Sequence, residues 1–257
     1  MAELNGVPVR VDELQTLALT NFGHFTTMRV EAGRVRGLAL HLARLVRDCR
    51  AVFDADLDPE RVRAYARRAA PADAVTMIRV TVFDPALDIG HLGAAAEPRV
   101  LVTTRPAGGL ALLPLRVRSV PYVRDLPAVK SVGLFGALHH RREAQRAGFD
   151  DALFVDRQQR VSEGGTWNIG FVRGSQVVWA DADHLPGTTM ELLRRARPHR
   201  TEAVPPTDLD GFDAAFATNA AIGVRPIAAV DKVAFPDDHP MIAALRDDYR
   251  DLPGDPL

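Results

Sequence analysis

Leu126-Pro127-Ala128-Val129-Lys130-Ser131-Val132-Gly133 carries one of only two lysines in a 257-residue chain that has thirty arginines. Any chemistry that runs through a lysine Schiff base therefore has two possible positions, since a guanidinium does not replace the amine. Lys232 follows Asp231 in a polar turn near a proline. Lys130 lies in an apolar stretch, where desolvation lowers an amine's pKa and keeps it nucleophilic toward an aldehyde. Lys130 is the candidate.

Upstream of it, Phe25-Thr26-Thr27-Met28-Arg29-Val30 alternates like a strand, Glu31-Ala32-Gly33 is a turn signal and Arg34-Val35-Arg36 returns. This predicts a hairpin. Apolar residues at Leu38, Leu42, Leu45, Val46, Cys49 and Phe53 predict a helix over 38–53. A second helix starts after Asp58-Pro59 and stops at Pro71. Residues 76–83, 99–104 and 115–120 read as strands. Downstream, 133–147 is a basic amphipathic helix with Gly148 as its stop. Short strands follow over 151–156, 160–162, 166–173 and 176–179. Another helix opens at Pro186-Gly187-Thr188-Thr189 and a last one spans about 239–249. The chain thus reads as α+β, with a small N-terminal α/β lobe (1–120), a linker (121–129) and a larger, β-rich C-terminal lobe (130–257).

The net charge of -1 gives no footprint for nucleic acid or an anionic membrane. Cys49 is the only cysteine, which excludes an intramolecular disulfide and a zinc site built on several thiolates. No metal site is expected. The N-terminus has no basic segment followed by an apolar run, and no stretch approaches membrane-spanning length, so a soluble, cytoplasmic protein is expected.

Five pieces in order carry a resemblance. They are the hairpin Phe25–Arg36 with His41-Leu42-Ala43-Arg44-Leu45, then Lys130, then Gly148–Asp156, then Val161-Ser162-Glu163-Gly164-Gly165-Thr166-Trp167-Asn168, then Leu185-Pro186-Gly187-Thr188-Thr189. Together they resemble the class IV aminotransferases, the pyridoxal 5'-phosphate (PLP) enzymes of two-lobed fold type IV, which include branched-chain and D-amino-acid transaminases and 4-amino-4-deoxychorismate lyase. The resemblance implies that Lys130 takes the cofactor aldehyde and then shuttles a proton. It implies that Glu163 pairs with the pyridine nitrogen. Arg44, one turn after His41, is assigned to the phosphate, for which its forked guanidinium is suited. Thr188 and Thr189, at a predicted helix start, join it there. Thr218-Asn219-Ala220-Ala221 resembles the last cofactor loop, with Asn219 and Ala220 as the contacting residues. On the substrate side, the resemblance points to Phe25 and Thr27 on one face of their strand, with His24 before them. Arg79 is a carboxylate ligand if it points inward and equally a strand arginine exposed to water if it does not, with Arg105 and Arg124 as further options.

Some positions depart from that pattern. Phe135 stands where many of the transaminases have a tyrosine, and no Asn-Tyr or Asn-Arg element follows Lys130. Thr26-Thr27 is closer to the lyase branch. The first reading is an aminotransferase that moves an amino group between an amino acid and a 2-keto acid. The alternative is 4-amino-4-deoxychorismate lyase or a related PLP-dependent lyase. A third reading, a non-catalytic PLP-binding homologue, is opposed by the retained Lys130, Glu163, Arg44 and Gly187-Thr188-Thr189 set. The resemblance also implies a homodimer that acts on small molecules.

Overall fold

The computed structural model describes residues 2–71, 74–110 and 112–257. It divides into two compact units. One comprises Met1–Gly108, Val129–Gly133 and Pro253–Leu257, and the other Gly109–Ala128 and Leu134–Leu252.

The first unit is an antiparallel sheet with its two long helices on one face. Its elements are β1 (Ala2–Leu4), β2 (Val7–Pro8), α1 (Gln15–Thr20), β3 (His24–Glu31), β4 (Arg34–Arg36), α2 (Leu38–Phe53), α3 (Pro59–Ala69), β5 (Thr76–Phe83) and β6 (Arg99–Pro106). The sheet order is β4-β3-β5-β6-β1-β2, with the terminal strand Gly254–Pro256 added beside β4. Side chains alternate across a strand. One face of the sheet, with Met28 and Val30 of β3, Ile78, Val80 and Val82 of β5, and Val100 and Val102 of β6, packs on Leu45, Cys49 and Phe53 of α2 and Val62 and Ala66 of α3. Each large aliphatic or aromatic side chain buried this way contributes about 1.5–3 kcal/mol. The α2 stripe of Leu38, His41, Arg44, Leu45, Asp48 and Cys49 follows helical spacing, yet three of its members are polar. Asp58 caps α3, its carboxylate accepting from the N–H groups of Glu60 and Arg61.

The second unit holds β7 (Leu115–Pro121), α4 (Phe135–Arg146), β8 (Asp151–Val155), β9 (Val161–Gly164), β10 (Asn168–Arg173), β11 (Gln176–Ala180), α5 (Thr188–Ala196), β12 (His199–Glu202), β13 (Ala214–Asn219), β14 (Gly223–Val230), β15 (Val233–Ala234) and α6 (Pro240–Asp251). The strand path β10-β13-β14-β7-β8-β9 closes on itself because β9 also pairs with β10. This makes a six-stranded barrel, and closure removes exposed edges. Leu115, Val117, Leu153, Val161, Ile169, Phe171, Ala215, Ala217 and Ile227 belong to one core. Trp179, Phe216, Val224, Met190, Leu193, Ile242 and Leu245 form a second one, under α5 and α6. The parallel pair β7–β8 needs a crossover, and α4 supplies it.

The hairpin, α2, α3 and β5 fall where the sequence predicts them. Two boundaries move. β7, read as the last strand of the first lobe, pairs with β8 and β14 of the second unit. Residues 130–133, read as the start of the second lobe, belong with Val129 of the expected linker to the first unit. Strands β1, β2 and Gly254–Pro256, and the six-residue α1, had no periodicity long enough to reveal them.

Gly170 of β10 lies opposite Phe216 of β13, and a Cβ there would sit 2.3 Å from the phenyl ring. Gly170→Ala is expected to destabilise the protein by about 1–3 kcal/mol through overpacking. The check is the urea midpoint at constant m-value; an unchanged midpoint would contradict so close an approach.

Candidate active site

In the first unit the Lys130 segment runs as a short added strand against the start of β3. Phe25 N–H donates to the Lys130 carbonyl at 2.9 Å and Val132 N–H to the Gly23 carbonyl at 3.0 Å, with an antiparallel bridge between His24 and Ser131. Val129 and Val132 are buried beside a half-buried Lys130, whereas Lys232 is exposed. The Lys130 Nζ lies 4.9 Å from the centroid of the Phe25 ring. The Arg79 guanidinium lies 3.6 Å from the same centroid and donates to Thr81 Oγ1. Arg79 stands directly opposite Thr27 in the β3–β5 register. Sequence alone left Arg79 open between water and a pocket. It is half-buried, and burial lowers its pKa.

Period two separates His24 from Phe25 and Thr27. His24 faces the helices, is fully buried, and packs its ring 6.1 Å from that of Phe53. Neither of its ring nitrogens has a hydrogen-bond partner among the described residues. The expected placement of His24 beside Phe25 and Thr27 is therefore corrected by the pleat. Burial lowers its pKa to about 4, against an opposing pull from the Asp48 carboxylate. Thr26 shares the helix-facing side and bonds His41 Nδ1 at 2.7 Å. Burial, then the positive charges of Arg44 and Lys130, hold His41 well below the ordinary histidine range, so it is neutral. Arg44 is buried on the same face of α2. His41 is thus a buried partner of Thr26.

In the second unit three strand ends bring polar groups side by side: Glu163 of β9 pairs with Asn168 of β10, which pairs with Thr218 of β13. Glu163 is buried and ion-paired, with Arg124 Nε 2.8 Å from Oε1, while Leu185 N–H donates to Oε2 at 3.3 Å. Both carboxylate oxygens of Glu163 thus accept hydrogen bonds from the protein. Asn168 Nδ2 donates to the Leu185 carbonyl, and a Cβ on Gly187 would lie 1.9 Å from Asn168 Oδ1. Only a glycine lets the loop come this close. The loop opens α5, where Thr188 and Thr189 are buried in the first turn. Thr188 Oγ1 and Thr218 Oγ1 are buried without a hydrogen-bond partner among the described residues. Asn219 differs from expectation: Oδ1 accepts from Ala221 and Ile222 N–H and Nδ2 donates to the Thr166 carbonyl. Its side chain holds the loop together, leaving Ala220 in the turn between β13 and β14.

Sequence reasoning missed three contacts. Arg124, offered there for a carboxylate of the substrate, binds Glu163. Asp48 accepts from the Lys130 N–H. Asp151 takes both Arg141 and the Trp167 indole N–H. A carboxylate in the buried stripe of α2 was the one available signal.

A model of class IV aminotransferases ("Amino-transferase class IV") matches residues 23–230. The chain belongs to the class IV aminotransferase family. A curated Rickettsia bellii protein, named provisionally as a branched-chain-amino-acid aminotransferase, is 30% identical over 123 residues, 44% of this chain and 42% of its own length. The chain therefore spans less than half the length of that relative. Among solved structures, a Thermoproteus uzoniensis branched-chain aminotransferase superposes with TM-score 0.85 at 20% identity, over 97% of this chain and 93% of that one. A Legionella pneumophila protein named provisionally as a 4-amino-4-deoxychorismate lyase gives TM-score 0.78 at 20% identity, over 93% and 92%. These likenesses establish the two-lobed fold of type IV and do not separate transaminase from lyase. No helix among the described residues is long and apolar enough to cross a membrane.

The depressed pKa of His24 has a consequence for stability. Its folded value, about 4, lies below the unfolded value of 6.5. Between these the unfolded chain binds more protons, so stability rises with pH through the window and is complete above it. His24→Leu is expected to remove about 2 kcal/mol of the stability lost between pH 7 and pH 5. Urea unfolding at the two pH values checks this; equal losses in both proteins would contradict it.

Proposed function

We propose that this chain is a PLP-dependent aminotransferase that moves an amino group between an amino acid and a 2-keto acid. The observation that carries this reading is the Phe25 ring, which Lys130 Nζ and the Arg79 guanidinium approach within one unit. An amine for the carbonyl chemistry and a cation for a carboxylate thus share one aromatic support. The residues fit PLP chemically. Lys130 would be the amine for its aldehyde and Glu163 the acceptor for its ring N–H. Two buried threonine hydroxyls without partners among the described residues, Thr188 and Thr218, suit an oxyanion, as do the N–H groups at the start of the nine-residue α5.

When bound, the cofactor supplies an electron sink for the carbon bearing the amino group. The chain's own residues do the rest. Lys130 would carry a proton from the substrate α-carbon to the cofactor carbon that bore the aldehyde oxygen. Glu163, paired with Arg124, would accept the N–H of the ring nitrogen. Arg44, Thr188, Thr189 and the Ala220 turn are assigned to the phosphate, with Asn219 bracing that turn. Arg79, with Thr27 opposite it, is assigned to the substrate carboxylate, where a guanidinium gives a bidentate, oriented contact. His41, neutral, adds no competing charge beside Lys130. Of the threonine pair on which the lyase alternative rests, Thr26 is committed to His41 on the helix side, and Thr27 shares the face of Phe25 and stands opposite Arg79. A homodimer is part of the proposal.

The names of the curated relatives make leucine with 2-oxoglutarate the first pair to assay. Amino transfer is expected, and Arg79→Leu should raise KM for the amino acid about tenfold or more with kcat changed less. Release of pyruvate and 4-aminobenzoate from 4-amino-4-deoxychorismate, without an amino acceptor, would overturn this reading in favour of the lyase.

A further inference from the structure

Asp48 is 0% exposed. A carboxylate buried so completely costs several kcal/mol unless its oxygens are bonded. Both are. Arg47 Nε and Nη2 donate to Oδ1 at 3.0 and 2.7 Å, and the Lys130 main-chain N–H donates to Oδ2 at 2.9 Å. The other side of the same peptide group pair is held by β3, through Phe25 N–H and the Lys130 carbonyl. We infer that Asp48 is a positioning residue for Lys130, fixing the main chain from which the amine is presented. The inference rests on the proposed role of Lys130.

The physical argument starts from the length of a lysine side chain. Four methylenes separate the amine from the backbone, so a shift or rotation of the peptide plane is carried outward to Nζ. Two strand-like bonds, from Phe25 and Val132, fix the register of residues 129–133 against β3. They lie on one edge of the segment and leave rotation about its axis open. The Asp48 bond comes from α2 and supplies the missing constraint. Along α2, His41, Arg44 and Asp48 share a face over about 10 Å. The same helix therefore carries the arginine assigned to the phosphate, the neutral histidine that feels the Lys130 charge, and the acceptor for the Lys130 amide. A purely structural carboxylate needed only the Arg47 pair. The bond to Lys130 ties the lysine to that helix.

The experiment compares the wild type with D48A and D48N, using PLP and 4-deoxypyridoxine 5'-phosphate. The second compound has a methyl group in place of the aldehyde, so it reports the pocket without the lysine. In condensation with PLP, the amine nitrogen bonds the aldehyde carbon and the carbonyl oxygen leaves as water with both amine protons. Stopped-flow absorbance follows that step, and competition gives the affinity of the analogue. D48A is expected to slow condensation about tenfold or more, as a misplaced reacting group does. D48N keeps an acceptor oxygen and should recover most of the rate. Analogue affinity should change less than about twofold in both, because the phosphate and ring contacts are intact. Condensation by D48A at the wild-type rate would overturn the inference, as would a parallel loss of rate and analogue affinity. If D48A does not fold, Asp48→Ser, whose hydroxyl is too short to reach the Lys130 N–H, takes its place with the same expectations. A wild-type protein that binds the analogue but never condenses with PLP would instead sink the proposed function, and this inference with it.

Discussion

A lysine can act as a site-specific amine only if its backbone is held more rigidly than its side chain. In this protein the constraint is a short ladder: residues 129–133 lie against the start of β3, bonded through Phe25 and Val132, and tied to α2 through Asp48. Each bond is modest on its own, about 0.5–1.5 kcal/mol net. Their value is geometric. They give the chain, at a point far from β3 in sequence, a fixed place beside Phe25, and the aromatic ring then lies within reach of both Lys130 and Arg79. The pleat of β3 does the sorting. Phe25 and Thr27 go to one face; His24, Thr26, Met28 and Val30 go to the other, under the helices.

The second unit solves a different problem, that of holding polar groups together without water. The barrel closes where β9 meets β10, and the pairing at that seam is Glu163 with Asn168. Closure thus sets the carboxylate beside the amide that holds the Leu185–Gly187 loop. Arg124 and the Leu185 N–H occupy the two carboxylate oxygens. Thr188 and Thr218 keep buried hydroxyls with no hydrogen-bond partner among the described residues, and a buried polar group in that condition costs about 1–3 kcal/mol.

Local periodicity made most of the elements legible. The helical stripe of α2, the Asp58-Pro59 start of α3 and the alternation of β3 and β5 are all carried by residues within a few positions of one another. Lys130 stands out in the sequence for a compositional reason, as one of two lysines, and Glu163 through the Ser162-Glu163-Gly164-Gly165 context. What the sequence hid are partnerships across long separations. Asp48 with Lys130, Arg124 with Glu163 and Thr26 with His41 depend on which strand lies beside which, and no local pattern encodes that. His24 was misread for the opposite reason. Alternation along β3 already separates it from Phe25, and its polar side chain drew it toward the site against that rule. The unit boundary was misplaced because β7 resembles any amphipathic strand, while its parallel partners lie beyond a helix crossover.

The central claim is that Lys130, and not Lys232, is the amine that takes PLP. Borohydride reduction of the PLP-loaded protein fixes the cofactor to whichever lysine holds it, and peptide mass spectrometry then locates the adduct. The account predicts the phosphopyridoxyl group on the peptide containing Lys130 and on no other. An adduct on Lys232, or none in a protein that binds PLP tightly, would contradict it.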